Sequence, residues 1–275
     1  MIYVSLNAFG ETGPFAHRPA YDHVLQGMTG APYVQSPEEP MYMRQAWVDK
    51  ATAYTAAQAI TAALFARSRS GSGQHLRLSM LDAGLAFLWP DGFTNQMILE
   101  EEGQTRIPPI ADTYIPAPTK DGWATVVVVT EEQWSRLLIA VDKPELLADP
   151  RFATIDARLS HLNEFREEIA NAGQEFTTEE LIERLQEADV PCGPVLRLEE
   201  VAEFPQLVAN GCLEESEHPV MGPIRQPRPP ARFADTPSAI RRPAPTLGQH
   251  TDEVLRELGR SPEQIGKLRA DGLVA

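Results

Sequence analysis

From Lys50 to Arg67 the chain runs without Gly or Pro and is rich in Ala, a composition that predicts a helix. Tyr54, Ala57, Ile60 and Leu64 recur there at three- and four-residue steps, so they are expected to form its buried face. Arg67 and Arg69 suit the negative end of the helix dipole, and Gly71 or Gly73 supplies a stop. Asp49 stands where an N-cap is expected, and capping is the plain reading of an Asp before a helix. The alternation in Gln74–Ser79 predicts a short strand, and a second helix opens at Met80 and breaks at Pro90-Asp91-Gly92.

Before this unit, Ile2–Leu6 reads as a short buried strand that leaves through Asn7-Ala8-Phe9-Gly10. A Gly13-Pro14 turn follows, then a short helix over Tyr21–Met28 ending at Gly30, then an irregular Pro-containing loop over Tyr33–Met43. After it, Gly103–Pro109 reads as a linker. Trp123–Thr130 is β-branched and predicts a fully buried strand. Glu131–Val141 predicts a helix with Trp134, Leu137 and Leu138 inward; Leu159–Ala172 and Thr178–Ala188 predict amphipathic helices, the latter started by Thr177 or Thr178. From Glu199 to Pro245 the pattern turns proline-rich and irregular, and Leu247–Gly259 closes with a helix capped by Thr251. Three parts are expected: 1–112, a large α/β domain; 113–198, a smaller α/β domain; and 199–275, an arm and helices returning to the first.

The 275 residues carry 39 acidic and 24 basic side chains, a formal charge of −15, which argues against nucleic acid and anionic membranes as partners. Two cysteines, Cys192 and Cys212, indicate neither a disulfide framework nor a metal site; ordinary buried thiols are expected. No targeting segment is visible in MIYVSLNAFG, and no uncharged run reaches membrane-spanning length, so a soluble cytoplasmic protein without metal is expected. The arginines of the arm, Arg225, Arg228, Arg232, Arg241 and Arg242, are suited to binding phosphates or to pairing with acidic patches on a neighbouring subunit, and pairing is the favoured expectation. G-x-S-x-G, Walker and zinc-ligand spacings are absent from the sequence.

The order of Asp49, the Ala-rich helix and RSRSGSGQHLRLSMLD resembles the family III CoA-transferases, a group with α-methylacyl-CoA racemase as a relative. SLNAFGETGPFAHRPAYDHVLQGMTG, DGWATVVVVTEEQWSRL, DPRFATIDAR, ADVPCGPVLRLEEVAEFPQL and LGQHTDEVLRELG appear in the family's order over nearly the whole chain. The resemblance implies a partial doubly wound parallel-sheet domain with a smaller α/β domain, and a further N-terminal portion that this sequence lacks. It implies that Asp49 is a nucleophile and that Asn7, Ala8, Phe9 and Met80 line the coenzyme A pocket near the thioester. Substrates are then an acyl-CoA and a carboxylic acid, and the assembly an interlocked homodimer, or a heteromer with a chain carrying the missing portion.

Two rival readings follow from the same resemblance. A racemase needs a His opposite the Asp; that position holds Tyr21, a poor base at neutral pH, and His23 is rotated to another helix face, so transfer is favoured. His17, His23 and His75 are expected to be surface or structural. The other rival is a fragment or non-catalytic subunit.

Overall fold

The computed structural model of the chain describes residues 1–99, 112 and 114–274; the linker expected at 103–109 lies outside them. Two compact units result, Met1–Val195 and Leu196–Ala275. The architecture is mixed α/β, with one parallel and two antiparallel sheets among the described residues.

The first unit opens with β1 (Tyr3–Asn7), followed by α1 (Asp22–Met28), α2 (Ala31–Gln35) and the 24-residue α3 (Trp47–Ser70). The expected loop over Tyr33–Met43 thus begins inside α2. Gly71, at φ +72°, ends α3 in the left-handed conformation and donates its N–H to Arg67 O at 2.8 Å. β2 (His75–Ser79) returns parallel to β1, with Tyr3 opposite His75 and Asn7 opposite Ser79, and runs directly into α4 (Met80–Gly92). Ser79 Oγ caps α4 by accepting the Asp82 N–H at 3.0 Å. Both strands therefore finish at the same end, where ligands of parallel sheets bind.

The buried face of α3 differs from the expected one. Trp47, Val48, Ala51, Thr52 and Ala63 are buried, whereas Tyr54 is 74% and Leu64 43% exposed, Ala57 is exposed and Ile60 half-buried. Alanine on every side leaves the periodicity without a preferred face. Close packing against α4, with Val48 against Gly84, selects the small-residue side.

A separate core lies further along the first unit. β3 (Ala117–Pro118), β4 (Trp123–Val126) and β5 (Cys192–Pro194) form an antiparallel sheet in the order β3-β4-β5. The strand expected over Trp123–Thr130 stops at Val126 and buries one face only; Val129 is 75% exposed. Just beyond the paired strands Pro191 accepts the Val127 N–H at 3.0 Å but has no N–H to return. α5 (Glu131–Ala140) and α8 (Thr178–Glu187) carry capping boxes, Thr130 with Gln133 and Thr177 with Glu180. Trp134, Leu137 and Leu138 face inward as expected and pack with Phe152, Leu181 and Leu185. The single helix expected over Leu159–Ala172 is two, α6 (Ile155–Ser160) and α7 (Leu162–Gly173), joined at His161.

The second unit holds α9 (Pro205–Ala209), a hairpin of β6 (Leu213–His218) and β7 (Gly222–Pro227), then α10 (Thr251–Glu257) and α11 (Pro262–Ala270). The hairpin replaces part of the irregular arm read from the sequence. Of the arm's arginines, Arg225 pairs with Glu215 at 2.7 Å and Arg242 with Glu253 at 3.7 Å. Arg228 instead donates to the carbonyls of Gly211 and Pro229, and Arg232 to that of Asn210. Thr251 is the first helical residue of α10 and the cap position is His250, which bonds Glu253 at 3.0 Å.

Candidate active site

Asp49 does not cap α3. The helix begins two residues earlier, at Trp47, and the cap position falls on Ala46, which has no side-chain acceptor. Asp49 is the third helical residue, its side chain exposed. The capping task passes to a different helix: Asp22 Oδ2 accepts the Asp49 N–H at 3.0 Å. That satisfies one of the free N–H groups of the first turn and places a negative group at the positive end of the dipole. The Asp49 carboxylate itself makes no hydrogen bond or ion pair among the described residues.

Asp22 is held in turn. It is 4% exposed, and its Oδ1 accepts from Gln26 Nε2 one helical turn along α1. Gln26, fully buried, also donates to Gln45 O at 2.9 Å, just before α3 begins. α1 therefore grips the start of α3 at two points through one carboxylate and one carboxamide. Neither residue was singled out from the sequence; the available signal is their four-residue spacing in YDHVLQ, which puts both on one helix face.

The other expected site residues gather around the same core. Ala8, Phe9 and Met80 pack against Leu25, Ala31, Trp47, Val48 and Ala51, the residues that flank Asp49 in α3 among them. Ala8 O accepts the Leu81 N–H at 3.0 Å, tying the exit of β1 to the first turn of α4. Asn7, at the end of β1, turns inward on its own loop and accepts the Gly10 N–H. Tyr21, at the position where a racemase needs its base, is 84% exposed at the cap of α1. His75 bonds Ser5 at 2.8 Å and His23 lies edge-on to Tyr42 at 5.8 Å, while His17 is exposed. Cys192 is half-buried, and burial pushes its thiol up.

Residues 1–251 match the model of CoA-transferase family III. The chain is 30% identical over its full length to the human succinyl-CoA:glutarate CoA-transferase, of which it spans 64%. It is 32% identical over 94% of its length to the succinate–glutarate CoA-transferase of Agrobacterium fabrum, of which it spans 65%. The chain thus spans a little under two thirds of the length of these relatives. Among solved structures, Rv3272 of Mycobacterium tuberculosis aligns with a TM-score of 0.76 at 25% identity, covering 92% of this chain and 68% of that one.

Proposed function

The chain belongs to CoA-transferase family III, and from that premise we propose that it moves coenzyme A from an acyl-CoA thioester to a carboxylic acid with Asp49 as nucleophile. One observation carries the reading. Asp22 takes over the capping of α3, so the Asp49 carboxylate is left exposed and unpartnered beside the core that contains Ala8, Phe9 and Met80. A carboxylate engaged as a cap would have its lone pairs committed to backbone N–H groups; this one has them free.

The chemistry runs as two mirror-image halves. An Asp49 oxygen attacks the thioester carbonyl carbon, the C–S bond breaks, and CoA thiolate leaves a mixed anhydride. The thiolate attacks the aspartyl carbonyl carbon, giving an aspartyl-CoA thioester and releasing the first acid as its carboxylate. The acceptor carboxylate attacks that thioester, re-forming an anhydride and thiolate. Thiolate attack on the acceptor's acyl carbon then yields the new acyl-CoA and restores Asp49. Asn7, Ala8, Phe9 and Met80, at the ends of β1 and β2, are the residues we assign to the coenzyme A side of the site. We also expect an assembled, dimeric state; the exposed Tyr54, Phe65 and Phe87 of α3 and α4 support it.

Asp49→Asn tests the nucleophile. The Asp49 side chain is exposed and makes no hydrogen bond or ion pair among the described residues, so folding is expected to survive its exchange for Asn while transfer is abolished, since an amide cannot form the anhydride. Acyl-CoA followed by hydroxylamine should label the peptide containing Asp49. Unchanged turnover in Asp49→Asn, or label at Asp22 or Asp82, would refute the assignment.

A further inference from the structure

The antiparallel sheet and helices α5, α6 and α7 surround a cavity of about 730 Å³, walled by residues 114–170 and none of those around Asp49. Its walls are predominantly hydrocarbon, among them Val126, Leu137, Leu159, Phe165 and Ile169. Two guanidinium groups reach it, and they differ. Arg158 is fully matched: Glu131 lies at 2.7 Å, Phe152 O accepts at 2.8 Å, and the Trp134 ring stacks beneath the guanidinium at 4.4 Å.

Arg166 is not matched. It is half-buried, and its one hydrogen bond among the described residues goes to the neutral Asn163 at 3.1 Å. Its Nη2 is enclosed without a partner, and no carboxylate lies within ion-pair distance among the described residues. In a chain with 39 acids and 24 bases, this is not for want of acids. An enclosed guanidinium nitrogen without an acceptor or a counter-ion carries a desolvation cost that a bound anion would offset. The walls, by contrast, gain from hydrocarbon and offer nothing to a second charge. Glu167, also on the lining, repels one.

We propose that this cavity binds a monocarboxylate with an unbranched apolar tail, the head on Arg166 and the tail along Val126, Leu159 and Phe165. The inference stands apart from the transfer reaction, since it uses no residue of the Asp49 site. Calorimetric titration of the whole chain with decanoate tests it. One saturable site is expected, and decanol and the matching ten-carbon dicarboxylate should bind roughly tenfold or more weakly, as for loss of one partner of a desolvated charge pair. Arg166→Gln should weaken decanoate to a similar degree without altering the circular dichroism. Should that variant fail to fold, Ala170→Phe, which fills the cavity and keeps Arg166, is expected to abolish binding. Asp49→Asn should bind decanoate like the parent. No saturable binding, equal binding of decanol, undiminished binding in the folded cavity variants, or loss of binding in Asp49→Asn would each overturn the proposal.

Discussion

Asp22 Oδ2 accepts the backbone N–H of Asp49 at 3.0 Å, across 27 positions of sequence and between two helices. Its other oxygen accepts from Gln26, so both carboxylate oxygens are committed. Asn at position 22 offers only one acceptor, and one of the two N–H donors must go unpaired in a buried setting. Asp22→Asn is therefore expected to cost about 1 kcal/mol, and Asp22→Ala about 1–3 kcal/mol. Urea unfolding measures both. Faster hydrogen exchange at the Asp49 amide, with the rest of α3 unchanged, locates the loss; equal stability of all three proteins would mean that the contact does not support the fold.

The legible parts of this chain are those where local rules decide. α5 and α8 start where their capping boxes stand, and Trp134, Leu137 and Leu138 point inward because their helix is polar elsewhere. α3 was legible as a helix but not in its orientation, since an Ala-rich surface fits a neighbour on any side. Family resemblance points to Asp49, but the carboxylate that serves the start of α3 was not legible: Asp22 meets α3 only once the chain has folded back. The β6–β7 hairpin escaped because its prolines and its LEESEH strand carry no apolar alternation. Arg166 reads as one more charge on an amphipathic helix until the cavity beside it is seen.

Two glycines should answer in opposite directions. A Cβ on Gly173, the last residue of α7, would lie 2.5 Å from the backbone oxygen of Pro118 in β3. Backbone cannot swing aside as a side chain can, so Gly173→Ala should destabilise by about 1–3 kcal/mol through forced overpacking. Gly266 lies inside α11 with open space where its Cβ would be. Gly266→Ala should stabilise that helix by about 0.5–1 kcal/mol, because glycine loses more backbone entropy there. Thermal and urea unfolding of the two variants read the difference in sign.

Acid should loosen the contact between the β3–β4 turn and α8. Asp121 Oδ1 accepts the Thr178 N–H and hydroxyl, each at 2.8 Å, and the first of these bonds is the main cause that holds its carboxyl below the ordinary 3.8. A carboxyl whose folded value is depressed contributes stability above its unfolded value and loses it as pH falls through the folded one. Asp121→Ala should accordingly melt below the parent at neutral pH, and the gap should close as pH falls below 3.8. Asp121 is exposed, so solvent screening keeps the effect modest. A gap that is constant with pH would assign the loss to packing rather than to the carboxylate.

His218 organises the β6–β7 turn and ties it to the proline-rich segment. It is 5% exposed, and its Nδ1 lies 3.1 Å from the N–H groups of both Val220 and Met221. Two donors facing one nitrogen make Nδ1 the acceptor, so the proton sits on Nε2 and is donated to Ala244 O at 2.9 Å. The ring thus fills three hydrogen-bonding demands at once. Phe in its place has similar bulk but satisfies none, leaving two amides and a carbonyl to find water. His218→Phe should therefore cost about 2–4 kcal/mol, on the scale of 1–3 kcal/mol for a buried group left unpaired. His218→Gln retains one acceptor and one donor and should recover part of the loss. Hydrogen exchange at Val220 and Met221 is the direct readout: fast in Phe, intermediate in Gln, slow in the parent. Slow exchange at both amides in His218→Phe would mean that the hairpin holds its turn without the ring.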